Sequence, residues 1–211
     1  MMDLQTTPET MMVDVGERPS SRLTLLARGV SQVGSPPVMG LLGVLLALGL
    51  LGGQAWLPGV LYLLLTAGVP VAYIVWLVRQ GRATDLDLSV RAERIRPMLL
   101  TLALMLAGWL LLRLGGAPRL LQLLAAANAL LAAAFLLVTL YWKISVHCMA
   151  GAALAVLSWA LLGAAAVPFA LSVPVIAWSR LHLRRHTLAQ TAVGTLVGAG
   201  IAALALLVYG A

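Results

Sequence analysis

The sequence predicts an α-helical bundle that crosses a membrane several times, and its composition and apolar runs are the observations behind this prediction. Of the 211 residues, 62% are hydrophobic and 10% are charged, and the mean hydropathy is +1.00. A soluble domain needs a largely polar surface and could not hide so much apolar side chain. Apolar runs of about 18 residues or more recur, and each is long enough to cross the hydrocarbon core. Backbone groups in lipid must bond to one another, so these runs are helical.

We expect one transmembrane bundle of six to seven spans over residues 36–211, preceded by an N-terminal segment, residues 1–35. Residues 1–20 are polar and predict a mobile tail. Residues 21–33 predict a short amphipathic helix at the membrane interface. Proline and glycine breaks separate the spans, which we place at 38–56, 59–78, 97–114, 119–141, 147–165, 167–179 and 188–209. The last of these carries Gly194, Gly198 and Gly200, small residues that allow close helix packing and permit self-association into a homo-oligomer.

Three polar stretches fall on the same side of the bilayer when the spans are counted in this way. They are Arg79–Pro97, Trp142–His147 and Ser179–His186, and each follows an even-numbered span. Together they contain nine of the fourteen basic residues and all three histidines. This convergence predicts a single functional site at one face of the membrane.

The distribution of acidic residues excludes several kinds of chemistry. None of the seven aspartates and glutamates lies beyond residue 93. Membrane prenyltransferases and CDP-alcohol phosphotransferases hold magnesium on a diphosphate with clusters of aspartates, so the sequence argues against both. His182 and His186 are spaced like metal ligands, but no carboxylate or second cysteine is near them in sequence, and we expect no metal. The net charge of +7 indicates anchoring at the membrane rather than nucleic-acid binding.

The three stretches read DLDLSVRAERIRPM (residues 85–98), WKISVHCMAG (142–151) and SRLHLRRHTLAQ (179–190). In this order they resemble the type 2 phosphatidic acid phosphatase superfamily of membrane lipid phosphatases. The motifs of that family are Lys-x6-Arg-Pro, Pro-Ser-Gly-His and Ser-Arg-x5-His-x3-Asp. The matching residues are Arg96 and Pro97, then Ser145 and His147, and then Ser179, Arg180 and His186. The resemblance covers about residues 80–205 and implies a helical bundle of the same type.

Departures from the motifs are concentrated at three places. Ser89 stands where the family has lysine, so that Arg91, Arg94 or Lys143 would have to supply the missing cation. The second motif has Ile144 and Val146 in place of proline and glycine. In the third motif Gln190 replaces aspartate, and an amide oxygen can accept a hydrogen bond but cannot stabilise an imidazolium by charge.

The resemblance implies metal-independent hydrolysis of a lipid phosphate or an isoprenyl (di)phosphate, without a cofactor. A phosphate ester at a membrane surface needs cations and hydroxyl donors around its oxygens, where water is partly excluded. Residues of the right type are Arg91, Arg94, Arg96, Lys143, Ser145, Ser179 and Arg180. By resemblance, His186 would be the nucleophile that forms a phosphohistidine, and His147 the acid for the leaving alcohol. Gln190, four residues after His186, would orient it, and we expect slower chemistry than with aspartate.

Two other classes are compatible with the sequence. One is a catalytically weak or inactive protein of the same fold that binds or moves phospholipids. The other is a small transporter, although few polar residues lie inside the spans. Taken singly, the basic residues could also be membrane anchors.

We expect a multi-pass protein of a prokaryotic cell membrane. Lysines and arginines are distributed nine to five in favour of a cytoplasmic site, but without the five phosphate-binding candidates Arg91, Arg94, Arg96, Lys143 and Arg180 the ratio is four to five, which leaves the orientation open.

Overall fold

The computed structural model describes residues 21–86 and 90–209, without the side chains of Arg91 and Ala92. Every regular element in these residues is helical, as the sequence predicted. The α-helices are α1 Arg22–Val33, α2 Pro36–Leu51, α3 Trp56–Leu63, α4 Val69–Arg79, α5 Arg91–Leu114, α6 Arg119–Tyr141, α7 Val146–Leu162, α8 Val167–His182 and α9 Leu188–Tyr209. Short 3-10 helices, Gly53–Ala55 and Gly163–Ala166, precede α3 and α8, and the π-helix Leu64–Gly68 joins α3 to α4.

Five helical stretches of the described chain are long and apolar enough to cross a membrane. They are Gly53–Arg79, Glu93–Leu114, Arg119–Tyr141, Val146–His182 and Leu188–Tyr209. A sixth results if α1 and α2, which meet at a bend of 51°, form one broken span. Helix α2 alone has 16 residues, fewer than the roughly 20 that cross the hydrocarbon core. The protein is therefore a multi-pass helical bundle by length and composition.

The stretch Val146–His182 folds back on itself. As one straight helix its 37 residues would measure about 55 Å. Instead, Gly163 has a φ of +55°, which favours glycine, and a 3-10 turn follows. A Cβ atom on Gly151 of α7 would lie 2.9 Å from Cδ1 of Ile176 in α8. The first residues of α7 and the last residues of α8 consequently lie at the same end of the molecule.

Helix α9 runs parallel to α7 and packs closely against it. A Cβ on Gly194 would lie 2.6 Å from the Ser145 carbonyl oxygen, and one on Gly198 would lie 2.0 Å from that of Met149. Both contacts are with backbone, so only glycine permits this approach. The prediction of close packing through small residues is confirmed at these two positions. Gly200 makes no such contact within the chain, because it is exposed and would have no atom within 4 Å of a Cβ.

The core lies between α2, α6, α7 and α9, and its largest fully buried side chains are Leu48, Leu121, Leu123, Ile144 and Met149. Many large apolar side chains point outward instead, such as Leu57 and Leu207, which are 71% and 81% exposed. Such surfaces are unfavourable in water but are expected where helices face lipid.

Candidate active site

The three polar stretches meet at one end of the bundle. Arg94 lies in the first turn of α5, Lys143 follows α6, and Arg180 is in the last turn of α8. The Lys143 ammonium is close enough to these arginines and to Arg185 for their charges to lower its pKa, although partial burial is the larger cause. Cations from three separate segments thus converge at one place, which favours an anionic ligand.

His186 lies between α8 and α9 and is held by Gln190. The Nδ1 atom of His186 is 3.1 Å from Oε1 of Gln190. The same oxygen accepts a hydrogen bond of 3.2 Å from the Thr187 amide, which identifies it as the acceptor atom. Nδ1 of His186 must therefore carry a proton and donate it to Gln190. In this tautomer the lone pair of the neutral ring is on Nε2.

The charge state of His186 follows from its surroundings. Burial and the nearby Arg180 guanidinium lower its pKa to about 4, and Lys143 and Arg94 act in the same direction. The hydrogen bond that His186 donates to Gln190 opposes these effects but does not outweigh them. His186 is therefore neutral at pH 7, as a nucleophilic imidazole has to be.

Gln190 also has a structural role that the sequence analysis missed. Its backbone N–H donates a hydrogen bond of 3.3 Å to Oγ1 of Thr187 while its side chain accepts one from the Thr187 amide. This reciprocal pair is a capping box at the beginning of α9. The signal was present in the sequence as Thr187-x-x-Gln190 before an apolar run. Gln190 thus joins the position of His186 to the start of the last helix.

The turn after α8 fixes the backbone of His186. The Arg180 carbonyl oxygen accepts hydrogen bonds from the amides of Arg185, at 3.0 Å, and His186, at 3.4 Å. Arg184 closes the turn in the left-handed conformation, with φ 52°. Arg180 and His186, which belong to the same proposed motif, are therefore connected through the backbone.

His147 is the second residue of α7 and is 9% exposed. Its Nδ1 atom is buried and has no hydrogen-bond partner among the described residues. The Arg180 guanidinium and the His186 ring are close enough to interact electrostatically with its ring. The ring also lines a cavity of about 460 Å³ that continues between the helices. His147 is thus positioned between the cation cluster and an apolar space.

Arg180 is held by a residue outside the three stretches. It is 6% exposed, and its Nη1 atom donates a hydrogen bond of 2.5 Å to Oγ of Ser31 in α1. The buried residues of α1 are Ala27 and Ser31, spaced four apart on the face that packs on α8. The helical periodicity of residues 22–33 could have indicated this inner face, but its partner could not be read from the sequence.

The other residues predicted to bind phosphate differ in burial and position. The hydroxyls of Ser145 and Ser179 are fully buried and already have local partners: Ser145 accepts from the Cys148 amide, and Ser179 donates to the Ile176 carbonyl. Their role in phosphate binding stays a prediction. Arg96 is exposed and lies two residues from Arg94, so the two side chains leave α5 in nearly opposite directions. Ser89 and the side chain of Arg91 lie outside the described residues.

His182 is separated from His186 by the turn and faces α1. Its ring stacks on Trp178 with centroids 5.5 Å apart, and its Nε2 atom is 3.4 Å from Oγ1 of Thr24. Within the described residues, no three histidine, cysteine or acidic side chains form a group that could hold a metal ion.

Comparison of the chain with protein-family models, with curated proteins and with solved structures finds no match. The interpretation of the site therefore depends on its own residues and geometry.

Proposed function

We propose that this protein is an integral membrane phosphatase that hydrolyses a lipid phosphate or an isoprenyl (di)phosphate without a metal ion. The observation that carries the proposal is the geometry of His186, whose Nδ1–H is held by Gln190 while Arg94, Lys143 and Arg180 surround it with positive charge. The resemblance of the motifs to type 2 phosphatidic acid phosphatases supports the same reaction.

In the first step, Nε2 of His186 attacks the phosphorus atom. A P–N bond forms as the P–O bond to the lipid alcohol breaks. His147, which carries a proton when the phosphate dianion is bound next to it, gives this proton to the departing oxygen. Arg94, Lys143 and Arg180 stabilise the charge that develops on the phosphoryl oxygens. Gln190 continues to accept the hydrogen bond from Nδ1–H of His186 while positive charge develops on the imidazole.

In the second step, water attacks the phosphohistidine. His147, now neutral, takes a proton from the water, the P–N bond breaks, and inorganic phosphate leaves. The reaction returns both histidines to their initial states. It needs the cations only for binding and charge stabilisation, so no cofactor is required.

The proposed fold is that of a type 2 phosphatidic acid phosphatase with seven crossings. In this arrangement α7 and α8 cross separately. The other crossings are α1 with α2 as one bent span, α3 together with α4, α5, α6 and α9. Each of the seven spans drawn from the sequence overlaps one of these segments. Origin in a prokaryotic membrane and self-association stay predictions.

Phosphate release by the purified protein, in metal-free buffer with a chelator, tests the proposal. The substrates are phosphatidate, phosphatidylglycerophosphate and prenyl phosphates and diphosphates of several lengths. We expect release by the wild type, no release by His186→Ala, and near-normal release by His182→Ala, the matched control. A radiolabelled phosphoryl group should be found on His186 as a phosphohistidine that is labile in acid and stable in base. Equal phosphate release by the wild type and His186→Ala would exclude the proposed phosphatase activity.

The second candidate is a protein that binds or moves phospholipids without hydrolysing them. The observation in its favour is Gln190, which holds His186 but cannot stabilise its imidazolium by charge. This candidate predicts that lipid phosphates bind, that binding weakens in Arg180→Gln, and that no phosphate is released from any substrate.

A further inference from the structure

The cavity beside His147 is deep and mainly apolar. It has a volume of about 460 Å³, and it lies between α2, the α3–α4 segment, α5, α6 and α7. On α7 its lining residues extend from Val146 to Leu157, which is roughly 16 Å along the helix. On the α3–α4 segment they extend from Val75 to Tyr62, which is roughly 20 Å. The cavity therefore leads from the charged end of the bundle into its apolar middle.

The cation cluster and the cavity share one face of α5. The lining residues of this helix are Pro97, Met98, Thr101 and Met105. Arg94 precedes them by three, four, seven and eleven residues, which is the spacing of a single helical face. An anion bound at Arg94 therefore lies directly above the cavity. The head group and the apolar part of one amphiphile could occupy both places together.

On the α3–α4 segment, Tyr62 is the lining residue farthest from the charged end of the bundle, and three neighbours hold it there. Its ring is 3% exposed, and its hydroxyl oxygen accepts a hydrogen bond of 3.1 Å from Nδ2 of Asn128 in α6. Gly108 of α5 approaches the ring so closely that a Cβ would lie 3.0 Å from its Cδ2 atom. Oγ1 of Thr66 donates a hydrogen bond of 2.8 Å to the Tyr62 carbonyl. These contacts restrict the movement of Tyr62.

The helix wall next to Tyr62 is locally widened. The π-helix Leu64–Gly68 interrupts the α-helical turn, and its residues Thr66 and Ala67 line the cavity. Single π-helical turns are uncommon and are found mostly at functional sites. The width of the cavity next to Tyr62 therefore depends on the helix geometry as well as on side-chain size.

We propose that this cavity holds one hydrocarbon chain of the lipid substrate and that Tyr62 sets the greatest chain length that fits. The inference rests on the proposed function, because it requires the phosphate to lie at His147 and His186. The volume is that of a small-molecule pocket and suits one extended chain. A longer chain would have to fold back against Tyr62, and overpacking of this kind is unfavourable.

Binding of n-alkyl phosphonates of increasing chain length tests the inference. Their P–C bond is not hydrolysed, so the measurement does not depend on turnover. Affinities are measured by native mass spectrometry on the full chain in lipid nanodiscs. For the wild type we expect an optimum chain length, with affinity falling roughly tenfold for chains that extend past Tyr62. An affinity that does not depend on chain length would overturn the proposal.

Variants at the two ends of the cavity sharpen the test. Tyr62→Ala should move the optimum to longer chains, while Tyr62→Phe, which keeps the ring, should leave it in place. Gly40 lines the cavity near its mouth and has no atom within 4 Å of a Cβ, so Gly40→Leu should move the optimum to shorter chains. Gly49→Leu is the control on α2, because Gly49 is exposed and equally free of neighbours. The same optimum in wild type, Tyr62→Ala and Gly40→Leu would contradict the role of the cavity.

Failure of this inference is distinguishable from failure of the proposed function. If phosphonates bind with an optimum length but the alkyl phosphate of that length is not hydrolysed, the chain-binding role holds and the phosphatase is excluded. If phosphate is released while chain length has no effect in any variant, the phosphatase holds and the chain-binding role is excluded.

Discussion

Gln190 connects two functions in one side chain, since its Oε1 atom accepts hydrogen bonds from His186 and from the capping amide of Thr187. Glutamate is the one replacement that preserves the capping box and adds a charge. We expect Gln190→Glu to stabilise the imidazolium that forms during attack, by about 1 kcal/mol or about fivefold in kcat. Thr187→Ala is the control, because it weakens the cap without removing the acceptor of His186. A slower Gln190→Glu enzyme would contradict the orienting role.

The pH dependence of the reaction is a second prediction about His186. The ring has to be neutral to attack, and its pKa is lowered to about 4. Protonation therefore removes activity only as the pH falls through about 4, rather than near the ordinary value of 6.5. In Gln190→Glu the carboxylate favours the imidazolium, so the acidic limb of kcat/KM should move to higher pH. Identical limbs in both proteins would show that the limb does not belong to His186.

The motif resemblance and the geometry assign phosphate binding to different arginines, Arg96 and Arg94. The resemblance assigns phosphate binding to Arg96. Of these two arginines, Arg94 is the one on the cavity face of α5 and close enough to act on Lys143 and His186. Loss of one charged hydrogen bond costs about 2 kcal/mol. We expect kcat/KM to fall roughly thirtyfold in Arg94→Gln and less than about threefold in Arg96→Gln. The reverse order would favour the motif assignment.

At the scale of the helices, the contact between α7 and α9 positions the two histidines relative to each other. His147 begins α7, His186 precedes α9, and the Ser145 amide donates a hydrogen bond of 3.1 Å to the Gln190 carbonyl. Gly198→Ala would place a Cβ 2.0 Å from the Met149 carbonyl oxygen, so the helices must separate. We expect a loss of roughly 1–3 kcal/mol of stability, seen as a lower Tm, together with slower phosphate release.

Gly200→Ala is the matched control for this contact. It lies on the same helix but has no atom within 4 Å of a Cβ. Alanine also has the higher helix propensity, by about 1 kcal/mol, so the variant should be as stable as the wild type or more so. Equal effects of the two substitutions would show that the α7–α9 contact is not limiting.

The sequence predicted some helix bounds well and others poorly, for physical reasons. Helix α6 begins and ends as predicted, because proline and charged residues flank a long apolar run, and α9 begins as predicted after a basic stretch. Helix α5 begins at Arg91 rather than at residue 97, because Pro97 was taken as a start although the helix continues through it. This error concealed the phase of the helix, and so the difference between Arg94 and Arg96. The Ser31–Arg180 bond joins residues 149 apart, and no local pattern encodes it.

For the whole molecule, the crossing of α7 and α8 decides the topology. If each crosses the membrane, Ala164 at their turn lies on the face opposite to Arg185. Single cysteines at these positions can be tested with a membrane-impermeant maleimide in vesicles of known orientation. The native Cys148 is fully buried and should not react. Leu114→Cys, at the far end of α5, is the reference for the opposite face.

We expect Ala164→Cys and Leu114→Cys to be labelled from one side and Arg185→Cys from the other. The side that labels Arg185 is then the side of the candidate active site, which the distribution of basic residues leaves open. Labelling of Ala164 and Arg185 from the same side would mean that α7 and α8 enter and leave by one face. The two histidines would still be adjacent in that case, because the beginning of α7 and the end of α8 lie together in either topology. The chemistry of the site therefore depends on the hairpin, while its orientation depends on how deeply the hairpin is inserted.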